Sequence, residues 1–193
     1  SSAAGSAALP LPAKPRFIGN ASAAFRIISM CHGPGVQEVA HLLEAHLPEG
    51  ASLELNLAYE LPVVHADTAQ LTRALGNLVK NASEALGDKG GVVTVATGVF
   101  QCGRAELDET CLGGALPEGA YVSLEVNDSG GGMDAETRRR ACEPFFTTKA
   151  ENRGLGLSAV LGIMREHKGA VCLKSEAGVG TTVRMLFRCN NAG

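Results

Sequence analysis

The sequence has no tryptophan, and aromatic residues fill only 4% of its 193 positions. Proteins that hold single-stranded nucleic acid stack bases on aromatic rings, so that class is disfavoured. A basic surplus is also missing: 17 Lys and Arg stand against 20 Asp and Glu, a net charge of −3. Phosphate backbones and anionic lipid both call for a basic face, so neither nucleic acid nor direct membrane contact is expected. No apolar run approaches the ~20 residues of a membrane span. Ser1–Ala8 lacks the basic start of an export signal. The six cysteines, at 31, 102, 111, 142, 172 and 189, form no CxxC pair and have no histidine at metal-ligand spacing. They are expected to be free thiols in a reducing cytoplasm. What remains is 45% hydrophobic and 19% charged, ordinary for one soluble globular domain with length to spare.

Residues 1–33, rich in Ser, Ala, Gly and Pro, read as a linker or appended remnant, partly disordered, with a possible strand or docking segment in Phe17–Met30. A domain is expected over 34–190. Helical spacing runs from Val36 to Leu47, before Pro48. Leu53, Leu55 and Leu57 alternate as a strand, and Pro62–Val64 reads as a second short one. A long helix is expected over Thr68–Leu86, closed by Gly87, then a strand over 92–100 and a loop over 102–119. Further on, the pattern predicts a strand at 121–126, a helix at 135–141, a loop at 144–154, a helix at 156–167, and strands at 170–174 and 181–188. Strands and helices mix without a βαβ repeat, which points to an α+β two-layer sandwich.

Three segments carry chemistry. In the long helix, Leu71, Leu75, Leu78, Val79, Ala82 and Leu86 form an apolar stripe, while Arg73, Asn77, Asn81 and Glu84 line up opposite. A solvated face would look similar, but asparagine is a mediocre helix former. Two of them one turn apart suggest a use, and an amide carbonyl is a hard oxygen ligand suited to Mg²⁺. Asp128-Ser129-Gly130-Gly131-Gly132-Met133 follows a strand. It is either a plain turn or a place where backbone approaches a flat ligand, with Asp128 accepting from an exocyclic amine. Phe145-Phe146-Thr147-Thr148-Lys149 precedes Arg153-Gly154-Leu155-Gly156-Leu157 at a helix start, where unpaired N–H groups suit phosphate. A buried aromatic pair beside an ordinary loop is the alternative. The chain has neither G-x-G-x-x-G nor a Walker A sequence, so any nucleotide is held by another architecture.

In this order the segments resemble the catalytic, ATP-binding domain of two-component sensor histidine kinases, in the GHKL superfamily of gyrase B and the 90-kilodalton heat-shock chaperone. Asn77–Ala85 resembles the N box, Asp128–Met133 the first glycine box, Glu143–Lys149 the F box, Gly154–Leu157 the second glycine box, and Gly178-Val179-Gly180-Thr181 the closing G-x-G-T turn. The resemblance implies the Bergerat-type sandwich, a mixed sheet with helices on one face, and the cofactors ATP and Mg²⁺. It implies that Asn81 holds the metal and that Asn77 contacts phosphate or metal, with Lys80 and Glu84 of the same helix in the nucleotide set. Asp128 would read adenine with Thr181, while Gly130, Gly132 and Met133 line its pocket. Thr147 to Arg153, Thr148 among them, would form a lid with Lys149 or Arg153 near the phosphates, and Gly154, Leu155, Gly156 and Leu157 would offer N–H groups. Asn77, Asn81 and Lys149 are the catalytic candidates.

ATP-hydrolysing members of that superfamily resemble one another in placing a glutamate where this chain has Asn77, which cannot take a proton from water. Phosphoryl transfer to an external histidine is therefore expected. None of His32, His41, His46, His65 and His167 precedes an acidic residue. The acceptor is expected on a helical hairpin outside this sequence, through which the full kinase would dimerise, with a response regulator downstream. This piece alone is expected to be monomeric. Alternatives are a hydrolysing ATPase and a degenerate regulatory module. Asn152, where the family often has glycine, and the short Ala150–Arg153 stretch keep the second open.

Overall fold

The computed structural model describes residues 43–58, 61, 62, 64–112, 116–143, 146 and 156–189, with the backbone of 16–18. The elements in chain order are β1 (Arg16–Ile18), β2 (Ala51–Asn56), α1 (Thr68–Leu86), β3 (Gly91–Cys102), α2 (Arg104–Asp108), β4 (Gly119–Asp128), α3 (Ala135–Arg140), α4 (Gly156–Glu166), β5 (Ala170–Glu176) and β6 (Gly180–Arg188). The strands form one six-stranded sheet ordered β1-β2-β3-β4-β6-β5. β1, β2 and β3 run parallel, and the remaining pairs are antiparallel. The sheet is mixed and the class α+β, as the sequence suggests.

The alternation along the strands decides which face is covered. Val93 and Val95 of β3, Val122, Leu124 and Val126 of β4, and Val183, Met185 and Phe187 of β6 share one face and are buried. Against it lie Leu71, Leu75, Leu78 and Val79 of α1 and Val160, Ile163 and Met164 of α4, in one continuous core. A fully buried side chain of this kind contributes about 1.5–3 kcal/mol.

α1 begins and ends where the sequence places it. The Asp67 carboxylate accepts the Gln70 N–H at 2.8 Å and caps the helix, and Gly87, at φ 57°, ends it. Its first turn is also tied to the end of α4. The Asp67 N–H donates to His167 Nε2 at 2.9 Å, so Nδ1 carries the ring proton and donates to the Ile163 carbonyl at 2.8 Å. Gln70 Nε2 donates to Glu166 Oε2 at 2.9 Å.

The structure departs from the sequence reading in two places. Leu61, Pro62 and Val64 form no strand; Leu61 and Val64 are instead buried in the core. The expected loop after β3 contains α2, entered through Glu106 Oε2, which accepts the Gly103 N–H at 3.0 Å. Leu107 of α2 packs with Cys102, Tyr121, Ala170 and Leu186 on the sheet face turned away from α1. A short helix thus covers part of the second face. Beyond it, Cys111 N–H donates to the Val171 carbonyl and Val171 N–H to the Leu112 carbonyl, which clips this strap to the outer edge of β5. β1 lies along β2, within the stretch where the sequence leaves a strand open. The helix expected over Val36–Leu47 lies largely outside the described residues, within which only Leu43 and Glu44 are helical.

Candidate functional site

The C-terminal half of α1 is where the motif segments meet. Asn77, Asn81 and Glu84 are half-buried on the face away from the apolar stripe, and Lys80 is exposed. The start of α4 rests on Asn81. A Cβ placed on Gly156 would lie 2.9 Å from Asn81 Oδ1 and 3.1 Å from Nδ2. Only a residue without a side chain lets this helix start come so close to the amide. Leu157 turns toward the core.

The glycine turn after β4 docks on the last turn of the same helix. Gly131 N–H donates to the Ala85 carbonyl at 3.1 Å, satisfying one of the carbonyls a helix end leaves over. A Cβ on Gly130 would sit 2.5 Å from that carbonyl oxygen. Asp128, 5% exposed, accepts the Gly130 N–H on Oδ1 at 2.9 Å. Gly132 has φ +63°, and a Cβ there would overlap the Glu176 carbonyl oxygen. Met133 follows half-buried, and Asp134 caps α3 by accepting the Thr137 N–H at 2.7 Å. That bond holds the Asp134 carboxyl below its usual pKa.

The closing turn completes the frame. Thr181 stands opposite Asp128 across the β4–β6 pair, and its hydroxyl lies 2.9 Å from Ser175 Oγ. Gly178 N–H donates to the Gly131 carbonyl at 2.7 Å, joining this turn to the glycine turn. Asn77, Asn81, Lys80, Glu84, Asp128, Gly130, Gly132, Met133, Gly156, Leu157 and Thr181 all fall in the described structure. Thr148, Lys149, Arg153, Gly154 and Leu155 lie outside the described residues. Three further participants were given no role by the sequence: the Ala85 carbonyl, Ser175, and Ser129, whose hydroxyl accepts the Val92 N–H at 3.0 Å.

A cleft of about 960 Å³ opens between α3 and β5, and its lining takes in Asp128, Ser175, Arg138, Arg139 and Lys174. It does not reach Asn81 or Gly156. One wall carries Cys111 and Cys142, which are joined as a disulfide with Cα atoms 6.1 Å apart. The expectation that all six cysteines are free is therefore corrected. The strap clipped to β5 and the end of α3 bring together two cysteines that the sequence separates by 31 positions. Cys102, Cys172 and Cys189 are free.

An amide-bearing helix and two glycine turns, held on a mixed sheet, define a Bergerat-type ATP-binding sandwich. The family described as histidine kinase-, DNA gyrase B- and HSP90-like ATPase matches residues 66–191, and the chain belongs to it. Among curated relatives it is 33% identical over 156 residues to sensor histidine kinase ZraS of Escherichia coli K12, covering 79% of this chain and 30% of that protein. It is 36% identical over 143 residues to sensor kinase CckA of Brucella abortus, covering 72% of this chain and 15% of that one. The chain thus spans less than a third of these relatives' own length. Among solved structures, the catalytic domain of histidine kinase ThkA aligns at TM-score 0.59 and 24% identity, covering 79% of this chain and 89% of that one. Full-length ShkA in complex with AMPPNP aligns at TM-score 0.59 and 24% identity, covering 78% and 28% respectively. These two likenesses carry the fold.

Proposed function

We propose that this domain binds Mg²⁺-ATP and donates the γ-phosphate to a histidine on a helical hairpin of the same full-length kinase, as a step in two-component signalling. The observation that carries the reading is the seating of the α4 start on the Asn81 amide. There a neutral, hard oxygen stands beside a helix start that favours anions. Among the described residues no three His, Cys, Asp or Glu side chains gather as a metal site. A single protein oxygen with phosphate and water completing the octahedron suits Mg²⁺ and fits this donor set. When bound, the metal would neutralise charge on the transferring phosphoryl group.

The residues of the chain divide the remaining work. Asn81 is the metal ligand and Asn77 a contact to phosphate or metal, with Lys80 and Glu84 alongside. Asp128, held by Gly130 and facing Thr181, reads the adenine amine. Gly130, Gly132 and Met133 wall the base. Thr148, Lys149 and Arg153 act as the phosphate-side lid, and Gly154, Leu155, Gly156 and Leu157 give backbone N–H groups to phosphate. The phosphoacceptor hairpin and a response regulator are the partners, and the full protein is a homodimer through that hairpin.

Asn77 favours transfer over hydrolysis, because an amide cannot act as a base toward water. The test is a titration with a fluorescent ATP analogue, with and without Mg²⁺. Asn81→Ala is expected to abolish the Mg²⁺-dependent part of binding, and an unchanged Mg²⁺ response in that variant refutes the metal role. Labelled ATP is expected to phosphorylate a separately produced acceptor hairpin and to leave this domain unlabelled. Rapid phosphate release without the hairpin would favour the hydrolase.

A further inference from the structure

We propose that Cys111 and Cys142 form a thiol–disulfide exchange site, open to low-molecular-weight disulfides and thiols, that fixes or frees the end of α3. The fold holds both cysteines in place by bonds other than their own. Cys111 is clipped to β5 through its N–H, which donates to the Val171 carbonyl at 2.8 Å, and the neighbouring Leu112 carbonyl accepts the Val171 N–H at 3.0 Å. Cys142 comes just after Ala141, the C-cap of α3, with Ala141 N–H donating to the Thr137 carbonyl at 2.8 Å and Glu143 N–H to the Arg140 carbonyl at 2.8 Å. Both thus stand over β5 with Cα atoms 6.1 Å apart, inside the range a disulfide spans. The pair can open and reclose without refolding the sheet.

Access distinguishes Cys111 from the other described cysteines. Cys111 is exposed, Cys142 is half-buried, and both line the open cleft beside α3. Arg138, Arg139 and Lys174 line it too, together with Glu109, Asp128 and Glu176, so both charge signs are present. The thiolate is the attacking form in such an exchange, and glutathione is a suitable low-molecular-weight reagent. Cys102 is 3% exposed, and burial pushes its thiol up to about 11. Burial also raises Cys172 and Cys189.

The exchange balances without another reactant. One cysteine thiolate attacks glutathione disulfide and expels a glutathione thiolate. The second cysteine thiolate attacks the mixed disulfide and expels another. The two protein thiols lose two protons, which the two released glutathione thiolates take up. Reduction is the reverse. The oxidised bond ties the end of α3 to the sheet edge. The start of α3 follows the Gly130–Gly132 turn beside Asp128, so the bond stiffens one wall next to that turn.

The test incubates the chain in glutathione buffers from reducing to oxidising, with peptide mass spectrometry and hydrogen exchange on the same samples. The expected result is a reversible Cys111–Cys142 crosslink, with amide exchange over 134–143 roughly tenfold faster in the reduced form, reflecting the lost restraint. Cys111→Ser is expected to match the reduced wild type in oxidising buffer. Separate glutathione adducts on the two cysteines, no crosslink, or equal exchange in both states each overturns the proposal. A second readout rests on the nucleotide-binding reading: ATP-analogue affinity is expected to fall several-fold on reduction, as a pre-organised wall is released. If neither state binds nucleotide, that reading fails while the crosslink and exchange results still judge the redox site.

Discussion

Replacing Gly156 by alanine separates the stability of this fold from its use. The added methyl would sit 2.9 Å from Asn81 Oδ1, 3.1 Å from Nδ2 and 3.4 Å from Cγ. Gly156 is not among the residues with positive φ, so the backbone accepts alanine. Alanine is also the better helix former, by up to about 1 kcal/mol in a helix interior and less at a first position. The fold therefore has little to lose, and the displaced group is the amide at the tip of a short side chain. That tip must swing away by several tenths of an ångström or more. If the amide is a ligand to a charged centre, losing it should cost about 1.5–3 kcal/mol, which is roughly 10- to 150-fold in affinity. Thermal melting should give a Tm within about 3 °C of the parent, since a ΔΔG of ~1 kcal/mol moves a domain of this size by a few degrees. Titration with a fluorescent ATP analogue should show the affinity loss with Mg²⁺ present and little change without it. A Gly156→Ala variant with parental Mg²⁺-dependent affinity refutes the argument that Asn81 and Gly156 share one site. A large drop in Tm refutes the claim that the glycine is there for the ligand.

Other perturbations test other layers of the same structure. Leu71→Ala removes a fully buried side chain of α1 and should destabilise the domain by about 2–5 kcal/mol, seen as a lower urea midpoint. Reducing the Cys111–Cys142 bond releases 31 residues of chain separation and should lower stability by about 3–4 kcal/mol in the chain-entropy account; identical urea curves with and without dithiothreitol refute the bond. Cys102 is held protonated in the fold, with its pKa raised from 9.0 to about 11, so the unfolded chain ionises first and stability falls as pH rises through that window. The urea midpoint should drop progressively between those values, and Cys102→Ala should remove that part of the slope. Asp128→Asn should weaken adenine-nucleotide binding while leaving guanine-nucleotide binding unchanged or improved; equal losses for both refute base reading by Asp128.

Local signals read best where a single element contains its own start, stop and stripe. α1 is the clear case: Asp67, the leucine spacing and Gly87 all lie within one stretch, and its bounds match the sequence reading. The glycines at 130, 132 and 156 were also legible as places of close approach, although nothing local named Ala85, Glu176 or Asn81 as what they approach. Pro62–Val64 misled because apolar residues next to a proline look like an edge strand. Leu61 and Val64 fill the core as loop side chains instead. α2 was hidden by the glycines and charges around five helix-compatible residues. Its reason for existing, Leu107 on the second face of the sheet, is a long-range contact. The cysteine pair was illegible for the same reason. Cys111 reaches Cys142 only because β5, which comes later in the chain than either, holds the strap.

That strap and β1 have a joint consequence for how this domain meets other proteins. β1 lies along the C-terminal half of β2, and the backbone of 111–112 interrupts the free side of β5 at Val171. Among the described residues, one rim of the sheet is therefore a short strand and the other is interrupted by the chain itself, both recognised defences against strand-to-strand aggregation. Among the described residues a visiting protein would find no long open ladder to extend, which favours recognition through the shapes and charges of loops and helices.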